Sequence, residues 1–202
     1  MIWFEPPNRP QAWTYTALKA IDNNLISSIE DYANANPEKL QSAAVHNNRE
    51  LGQQRKLDIA SRVTDIMWLD DMQTFKELYD RVIDVSLTVN FQNFKYSISF
   101  IEPLQYSVYR GDELGNYDIH CDSTMRDPTG FNRKISFSIL LNDPSEFEGG
   151  ELKFHYLKDP VVAELNKGDM VLFPSFIPHS VAPVTKGVRR SLVGWICGPN
   201  FV

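Results

Sequence analysis

The second half of the chain is a succession of short apolar or alternating runs separated by turn-forming pairs, which restricts the fold more than any other feature. Successive side chains on a β-strand point to opposite faces of a sheet, so each run predicts a strand. Many short strands with regular turns are typical of a sandwich or jelly roll. The predicted strands are Tyr96–Phe100, Leu104–Tyr109, Lys134–Leu141, Glu151–Tyr156, Asp169–Pro174, His179–Val184 and Arg189–Cys197.

The first half of the chain predicts helices instead. Apolar residues recur at intervals of three and four in Ala17–Asn34, and Asn36-Pro37 ends that pattern. A second amphipathic helix is predicted for Met72–Val89, and the polar segment Asn47–Ala60 predicts a loop. We therefore expect a single α+β domain over residues 1–202. Its helical part, about 1–90, would pack on one sheet of a β core at about 91–202.

Composition and charge narrow the classes of function. The chain has 202 residues, enough for a sizeable core, and no apolar run of it is long enough to cross a bilayer. Its start lacks the basic and apolar stretches of a secretory signal, so a cytoplasmic protein without a membrane partner is expected. A net charge of -6 argues against nucleic acid as a partner. The two cysteines, Cys121 and Cys197, form no disulfide framework and fit a reducing compartment.

The sequence His120-Cys121-Asp122 offers two metal ligands with one residue between them. On a strand, His120 and Asp122 point the same way and Cys121 points the other way. His179 follows a predicted buried strand and a proline-bounded turn, and can supply a third ligand. Two imidazoles and one carboxylate cap one face of Fe(II) and leave three positions open, which predicts a non-haem iron oxygenase. The other histidines, His46 and His155, lack such a setting and are expected to be structural or exposed.

Arg189 is the candidate for binding a second anion near the metal. A predicted hairpin turn at 182–187 would place it on the strand next to that of His179. A guanidinium close to a metal needs an anionic partner, and a dicarboxylate that chelates iron at one end supplies it. Ser191 lies on the same strand face and can donate to the same carboxylate, whereas Arg190 faces outward. A structural salt bridge is the alternative role for Arg189.

Three aromatic residues are candidates for the cavity wall. Tyr109 shares a strand face with Gln105. It is expected to face the cavity and to contact the dicarboxylate that would act as cosubstrate. Tyr117 lies three residues before His120, so alternation predicts the opposite face unless the preceding loop intervenes, and core packing is expected rather than contact with a cofactor. Trp195 lies on the same face of its strand as Arg189 and is expected either to line the cavity or to pack in the core.

At this point the chain resembles the iron(II)- and 2-oxoglutarate-dependent dioxygenases, in particular the prolyl 4-hydroxylase-like branch. The resemblance extends from about Gln105 to Gly198, and the order of the motifs carries it. The matching stretches are Tyr109…Tyr117–Asp122, Phe147–Leu152, Gly168–Ser175 and His179–Ser191.

The resemblance implies a double-stranded β-helix, a cupin-like jelly roll, with iron at one open end. His120, Asp122 and His179 match the iron ligands of the family, Arg189 matches the residue that holds the far carboxylate of 2-oxoglutarate, and Tyr109 resembles a tyrosine near that cosubstrate. The implied reaction consumes 2-oxoglutarate and O2, releases succinate and CO2, and hydroxylates a C–H bond, for which a peptidyl-prolyl residue is the family-level substrate. Other peptide, protein or small-molecule substrates stay open, and ascorbate is the implied reductant.

Two other interpretations remain open from the sequence. A nucleic-acid demethylase with the same chemistry would need a basic groove and a second spaced arginine, which the residues after Ser191 do not offer. A non-enzymatic, cupin-like module would use the same ligands for another ion such as zinc.

Overall fold

Two antiparallel sheets pack face to face in the computed structural model, which describes residues 13–43, 62–123 and 128–201. Two helices, α1 (Asn23–Ala35) and α2 (Lys76–Val89), accompany them. The strands are β1 (Tyr15–Ala17), β2 (Gln41–Ser42), β3 (Arg62–Val63), β4 (Asp65–Leu69), β5 (Phe100–Ile101), β6 (Leu104–Arg110), β7 (Asn116–His120), β8 (Phe131–Leu140), β9 (Phe147–Gly149), β10 (Leu152–Phe154), β11 (Val161–Val162), β12 (Met170–Pro174), β13 (His179–Val181) and β14 (Val184–Pro199).

The larger sheet has nine strands and the smaller one has five. The larger runs in the order β1-β12-β8-β14-β6-β4-β2, with β5 and β9 also paired to β14. The smaller runs β11-β10-β13-β7-β3, and every strand pair in both sheets is antiparallel. This is the two-sheet, jelly-roll architecture that the sequence predicts, and the α+β class is confirmed.

The helices cover the outer face of the larger sheet. Ile29 of α1 and Val82 of α2 are fully buried in one apolar cluster with Ile139 of β8 and Leu192 of β14. Burying each such side chain contributes about 1.5–3 kcal/mol. The inner face of the same sheet is thereby left to pack against the smaller sheet. None of the described helices is long and apolar enough to span a membrane.

Both helices begin later than predicted. Ala17, where the periodicity predicts the start of the first helix, instead ends β1, which pairs with β12. The helix α1 starts only after Asp22, whose carboxylate accepts a hydrogen bond from the Leu25 amide at 3.0 Å. The second helix was predicted from Met72, but the Asp71 carboxylate accepts from the amides of Gln73 and Thr74 and holds a turn there. The predicted end of the first helix at Asn36-Pro37 is confirmed.

Several strand and loop boundaries also differ from the prediction. Residues 95–99 lie outside any strand, because the Asn90 side chain bonds both the N–H and the C=O of Tyr96 and fixes that segment as a loop. β14 begins at Val184 rather than at Arg189, and β8 already begins at Phe131. The described residues before 90, which are 13–43 and 62–89, form four short strands besides the helices. The predicted loop Asn47–Ala60 lies outside the described residues, as does His46.

Gly194 is required where β14 crosses the core. It pairs directly with Phe137 of β8, and a Cβ at this position would overlap the Phe137 ring and lie 2.8 Å from Leu104. We expect Gly194→Ala to lower the free energy of unfolding by about 1–3 kcal/mol, as overpacking does. Urea denaturation measures this. In a Phe137→Leu background the cost of the alanine is expected to be smaller, and an equal cost in both backgrounds would contradict the steric explanation.

Candidate functional site

A cavity of about 240 Å³ lies between the two sheets and is lined by side chains from both. Sites for drug-sized ligands typically measure about 300–1,000 Å³, so this cavity suits a small metabolite. His120, Asp122 and His179 line it, together with Arg189 and Tyr109. The structure therefore brings together the residues that the sequence singled out.

The candidate metal ligands meet where two strands of the smaller sheet pair. His120 at the end of β7 is opposite His179 at the start of β13, with ring centres 4.2 Å apart. The Nε2 atoms of His120 and His179 lie 3.7 and 3.5 Å from the two carboxylate oxygens of Asp122. One ligand atom from each residue falls within 4.8 Å of the others, a spacing that can hold a metal ion.

The hydrogen bonds of both imidazoles suit a metal. Nδ1 of His120 donates to the carbonyl oxygen of Asp118 at 2.8 Å, and Nδ1 of His179 donates to that of Ile177 at 2.9 Å. In the neutral ring that a metal binds, each of these bonds takes the one proton on Nδ1 and leaves Nε2, which lies near Asp122, available as the ligand atom. Burial, with the neighbouring His179, lowers the pKa of His120 to about 4, so its ring is neutral at pH 7. The donor set therefore fits a divalent metal with two imidazoles and one carboxylate.

Asp122 is kept ionised and oriented by its surroundings. Ser136 Oγ donates to Oδ2 at 2.6 Å and is 2.9 Å from Ser175 Oγ, and the Trp195 side chain supplies a further hydrogen bond. Burial alone would raise the pKa of Asp122, but His179, the Ser136 hydroxyl and the other imidazole outweigh it and hold the pKa below its usual range.

Arg189 is a buried cation without an internal counter-charge. Its side chain is only 3% exposed, Nη1 donates to Ser191 Oγ at 3.1 Å, and the guanidinium lies 5.5 Å from the centre of the Tyr109 ring. Among the described residues, no carboxylate forms an ion pair with it. Burial lowers its pKa. An uncompensated buried charge is costly, so this end of the cavity favours an anion.

The route by which Arg189 reaches the cavity differs from the prediction. No hairpin joins its strand to that of His179: β13 pairs with β7 and β10 in the smaller sheet, whereas β14 pairs with β6 and β8 in the larger. Arg189 thus lines the cavity from the opposite sheet. Arg190, as predicted, lies on the other face, where Nη1 is 3.8 Å from Glu146.

The prediction that Tyr117 faces away from His120 is wrong. Tyr117 pairs with Val181 and His120 pairs with His179, so three residue steps on β7 match two on β13. This irregularity changes the alternation by one residue. As a result the Tyr117 ring stacks on that of His120, with centres 3.6 Å apart, and lines the cavity.

Other expected positions agree with the structure. Gln105 and Trp195 line the cavity as the alternation predicts. His155 is partly buried, and its Nε2 lies 2.8 Å from Ser180 Oγ, which is a structural role. Cys121 points away from the ligands, and its Sγ donates to the Phe176 carbonyl at 3.4 Å.

The sequence interpretation missed several residues of the site. Arg62 lies on the two-residue strand β3, which is too short to show a pattern, and Trp68 lies on β4 within the half predicted to be helical. Arg133 lies one residue before the predicted strand Lys134–Leu141 but belongs to β8. Ser136 had a usable signal, because Ser136 and Ser138 alternate with apolar residues on one buried strand.

Residues 104–197, just under half of the chain, match the model of the 2OG-Fe(II) oxygenase superfamily. We call this matched segment, residues 104–197, the oxygenase region. The oxygenase region begins with β6 and ends within β14, so it contains the three candidate ligands and Arg189.

Curated relatives include PKHD-type hydroxylases. One from Aliarcobacter butzleri is 40% identical over 86 residues, which cover 41% of this chain and 38% of that protein. Another from Saccharophagus degradans is 32% identical over 121 residues, covering 56% and 53%. The chain thus spans about two fifths to half the length of the curated relatives it matches.

Solved structures extend the likeness over nearly the whole chain. A prolyl-4-hydroxylase from Pseudomonas putida superimposes with a TM-score of 0.67 at 21% identity, covering 93% of this chain and 94% of that one. A prolyl hydroxylase from Trichoplax adhaerens, solved with a peptide fragment of hypoxia inducible factor, gives 0.67 at 17% identity, covering 91% and 83%. At these identities the likeness is one of fold, and it confirms the double-stranded β-helix.

Proposed function

We propose that the oxygenase region binds Fe(II) through His120, Asp122 and His179 and catalyses 2-oxoglutarate-dependent hydroxylation of a C–H bond, with a peptidyl-prolyl residue as substrate. The observation that carries the proposal is one cavity that contains both a two-histidine, one-carboxylate set and a buried, unpaired Arg189. The names of the PKHD-type and prolyl hydroxylase relatives support the reaction and the substrate class.

Each residue of the cavity has a role in this proposal. Fe(II), when bound, supplies the activation of O2, by which 2-oxoglutarate becomes succinate and CO2 and one oxygen atom enters the C–H bond. Arg189 binds the far carboxylate of 2-oxoglutarate, and the Ser191 hydroxyl donates a hydrogen bond to that carboxylate. Tyr109 borders the cosubstrate. The buried rings and aliphatic groups of Phe173 and Leu152 keep water from the reacting atoms.

The proposal also covers the setting of the enzyme. Both cysteines are unpaired, which supports a reducing, cytoplasmic location. Ascorbate is proposed as the reductant of the iron because the resemblance to the dioxygenases implies it. The substrate is a peptide or a small molecule, and neither nucleic acid nor a membrane is needed for the reaction.

Succinate release tests the proposed activity. Purified protein supplied with Fe(II), 2-oxoglutarate and air is expected to form succinate, and prolyl peptides are expected to increase the rate. Protein that binds zinc tightly but has no affinity for 2-oxoglutarate would contradict the proposal and favour the non-enzymatic module. Stimulation by methylated oligonucleotides but not by peptides would favour the demethylase.

Ser136 is expected to set the affinity for the metal through Asp122. Because Ser136 Oγ donates to Asp122 Oδ2 at 2.6 Å, Ser136→Ala frees the carboxylate to rotate. Losing such a partner typically weakens metal binding about 10–100-fold. Anaerobic Fe(II) titration measures the loss. Ser138→Ala is the matched control, since Ser138 lines the same cavity two residues along β8; equal losses in both variants would contradict the role of Ser136.

A further inference from the structure

Three arginines line the cavity, and the charge of two of them is already accounted for. Arg189 pairs with the cosubstrate in the proposed function. Arg133 is bound by Glu102 through two hydrogen bonds, Nε to Oε1 at 2.8 Å and Nη2 to Oε2 at 2.6 Å, and lies 3.9 Å from the centre of the Trp195 ring. Such a bidentate pair neutralises the guanidinium and fixes it against the cavity wall.

Arg62 has no such partner. Its guanidinium lies 4.6 Å from the centre of the Tyr117 ring, and that ring stacks on His120, so one aromatic ring separates this cation from a candidate metal ligand. Its Nε is buried and has no hydrogen-bond partner. In the described parts of the chain, no carboxylate forms an ion pair with Arg62. A partly buried cation is thus left for a bound molecule.

The charges in the cavity, once Fe(II) and 2-oxoglutarate are bound, indicate the charge of that molecule. The two positive charges of Fe(II) and that of Arg189 are matched by Asp122 and the two carboxylates of 2-oxoglutarate, and Arg133 is matched by Glu102. One positive charge, that of Arg62, remains unmatched in a chain whose net charge is -6. An anion with a single charge completes the balance.

Part of the cavity wall is formed by two tryptophans. Trp68 and Trp195 line the cavity with ring centres 6.1 Å apart, and Trp68 is 42% exposed, which leaves part of its surface free for a ligand. Aromatic faces bind compact aliphatic rings and chains through apolar contact. The cavity therefore combines a cation with an apolar surface.

We propose that Arg62 binds a carboxylate of the substrate, so that the hydroxylated residue itself carries an acidic group or directly adjoins one. This inference rests on the proposed function and specifies its substrate class. The planar guanidinium binds a carboxylate through two parallel hydrogen bonds, and Trp68 contacts the aliphatic part that reacts. Two sources can supply the carboxylate: the free α-carboxylate of a terminal residue, or the side chain of a neighbouring aspartate or glutamate.

Binding of matched acid and amide compounds tests the inference without turnover. The protein is loaded with Fe(II) and 2-oxoglutarate under anaerobic conditions, and tryptophan fluorescence reports binding. N-acetyl-L-proline against its amide probes the α-carboxylate, and acetyl-Pro-Asp-amide against acetyl-Pro-Asn-amide probes the side-chain source. We expect the acid of at least one pair to bind about tenfold more tightly than its neutral partner, as a charge-assisted bond provides. Ratios within about twofold in both pairs, or binding of no compound, overturn the inference.

Variants then assign the preference to Arg62. Arg62→Gln is expected to bring the acid-to-amide ratio close to one, and Arg62→Lys, which keeps the charge, is expected to retain part of it. The matched control is Arg110→Gln, because Arg110 ends β6, pairs with Asp65 at 3.3 Å and does not line the cavity. The acid-to-amide ratio of this variant is expected to stay unchanged. A full preference in Arg62→Gln overturns the inference.

Failure of the proposed function and failure of the inference about Arg62 give different results. If 2-oxoglutarate does not bind and no succinate forms in air, the proposed function fails and the inference fails with it. If 2-oxoglutarate binds and succinate forms, but acids and amides bind equally, only the inference about Arg62 is overturned.

Discussion

Replacing Arg189 by leucine is expected to weaken 2-oxoglutarate binding by roughly 30- to 4,000-fold and to leave metal binding intact. The guanidinium is buried, has only the Ser191 hydroxyl as a hydrogen-bond partner, and forms no ion pair with a described carboxylate. Removing one partner of a desolvated charge pair costs about 2–5 kcal/mol, and each 1.4 kcal/mol is about tenfold in affinity. Calorimetric titration of the anaerobic, Fe(II)-loaded protein with 2-oxoglutarate measures the change.

A structural role for Arg189 would give a different result. Arg190→Leu is the matched control, since that neighbouring arginine faces outward to Glu146 and is partly exposed; little change in affinity is expected. The apo Arg189→Leu protein is expected to be at least as stable to heat as the parent, because the substitution removes a buried charge without a counter-ion. Lower stability with unchanged 2-oxoglutarate affinity would show that Arg189 supports the fold rather than the cosubstrate.

The sequence predicted side-chain positions correctly where successive side chains of a strand alternate strictly between two faces. His120 and Asp122 share a side, Arg189 and Ser191 share a side, and Arg190 lies opposite, because alternation along a strand is fixed by backbone geometry. A single extra residue in one of two paired strands makes the same reasoning fail. Tyr117 was assigned to the wrong face because the irregular pairing of β7 with β13 is a property of both strands, and it cannot be found from one of them.

Long-range pairing was the other part that the sequence could not give. The turn before β14 looks like a hairpin, but β14 pairs with β6 and β8, which precede it by about 50 residues or more, so Arg189 and His179 meet from different sheets. The strand that carries Arg62 has two residues, less than one alternation, and leaves no pattern to detect. The helix starts were displaced because single side-chain contacts, such as that of Asp22, outweigh apolar periodicity at helix ends.

Replacing His179 by leucine is expected to abolish the proposed metal site, with Fe(II) affinity falling about 100-fold or more. Loss of a residue that only orients a ligand already costs about 10–100-fold, so loss of a ligand costs more. Leucine retains apolar contact with Phe173, whose ring centre lies 4.7 Å from that of His179, and the fold is therefore expected to persist. Anaerobic Fe(II) titration, with thermal unfolding of the apo protein, measures both. His155→Leu is the control, because the His155 side chain bonds only Ser180 in the described contacts; an equal loss of affinity in this variant would contradict the assignment.

Together, His179→Leu and Arg189→Leu distinguish the proposed enzyme from the non-enzymatic, cupin-like module. If 2-oxoglutarate chelates the metal at one end and pairs with Arg189 at the other, His179→Leu must weaken both Fe(II) and 2-oxoglutarate, whereas Arg189→Leu must weaken only 2-oxoglutarate. This asymmetry follows from the order of assembly, since the metal does not need the cosubstrate but the cosubstrate needs the metal. A cupin-like zinc module would lose its metal in His179→Leu and would show no 2-oxoglutarate binding in any variant, so one set of titrations decides between them.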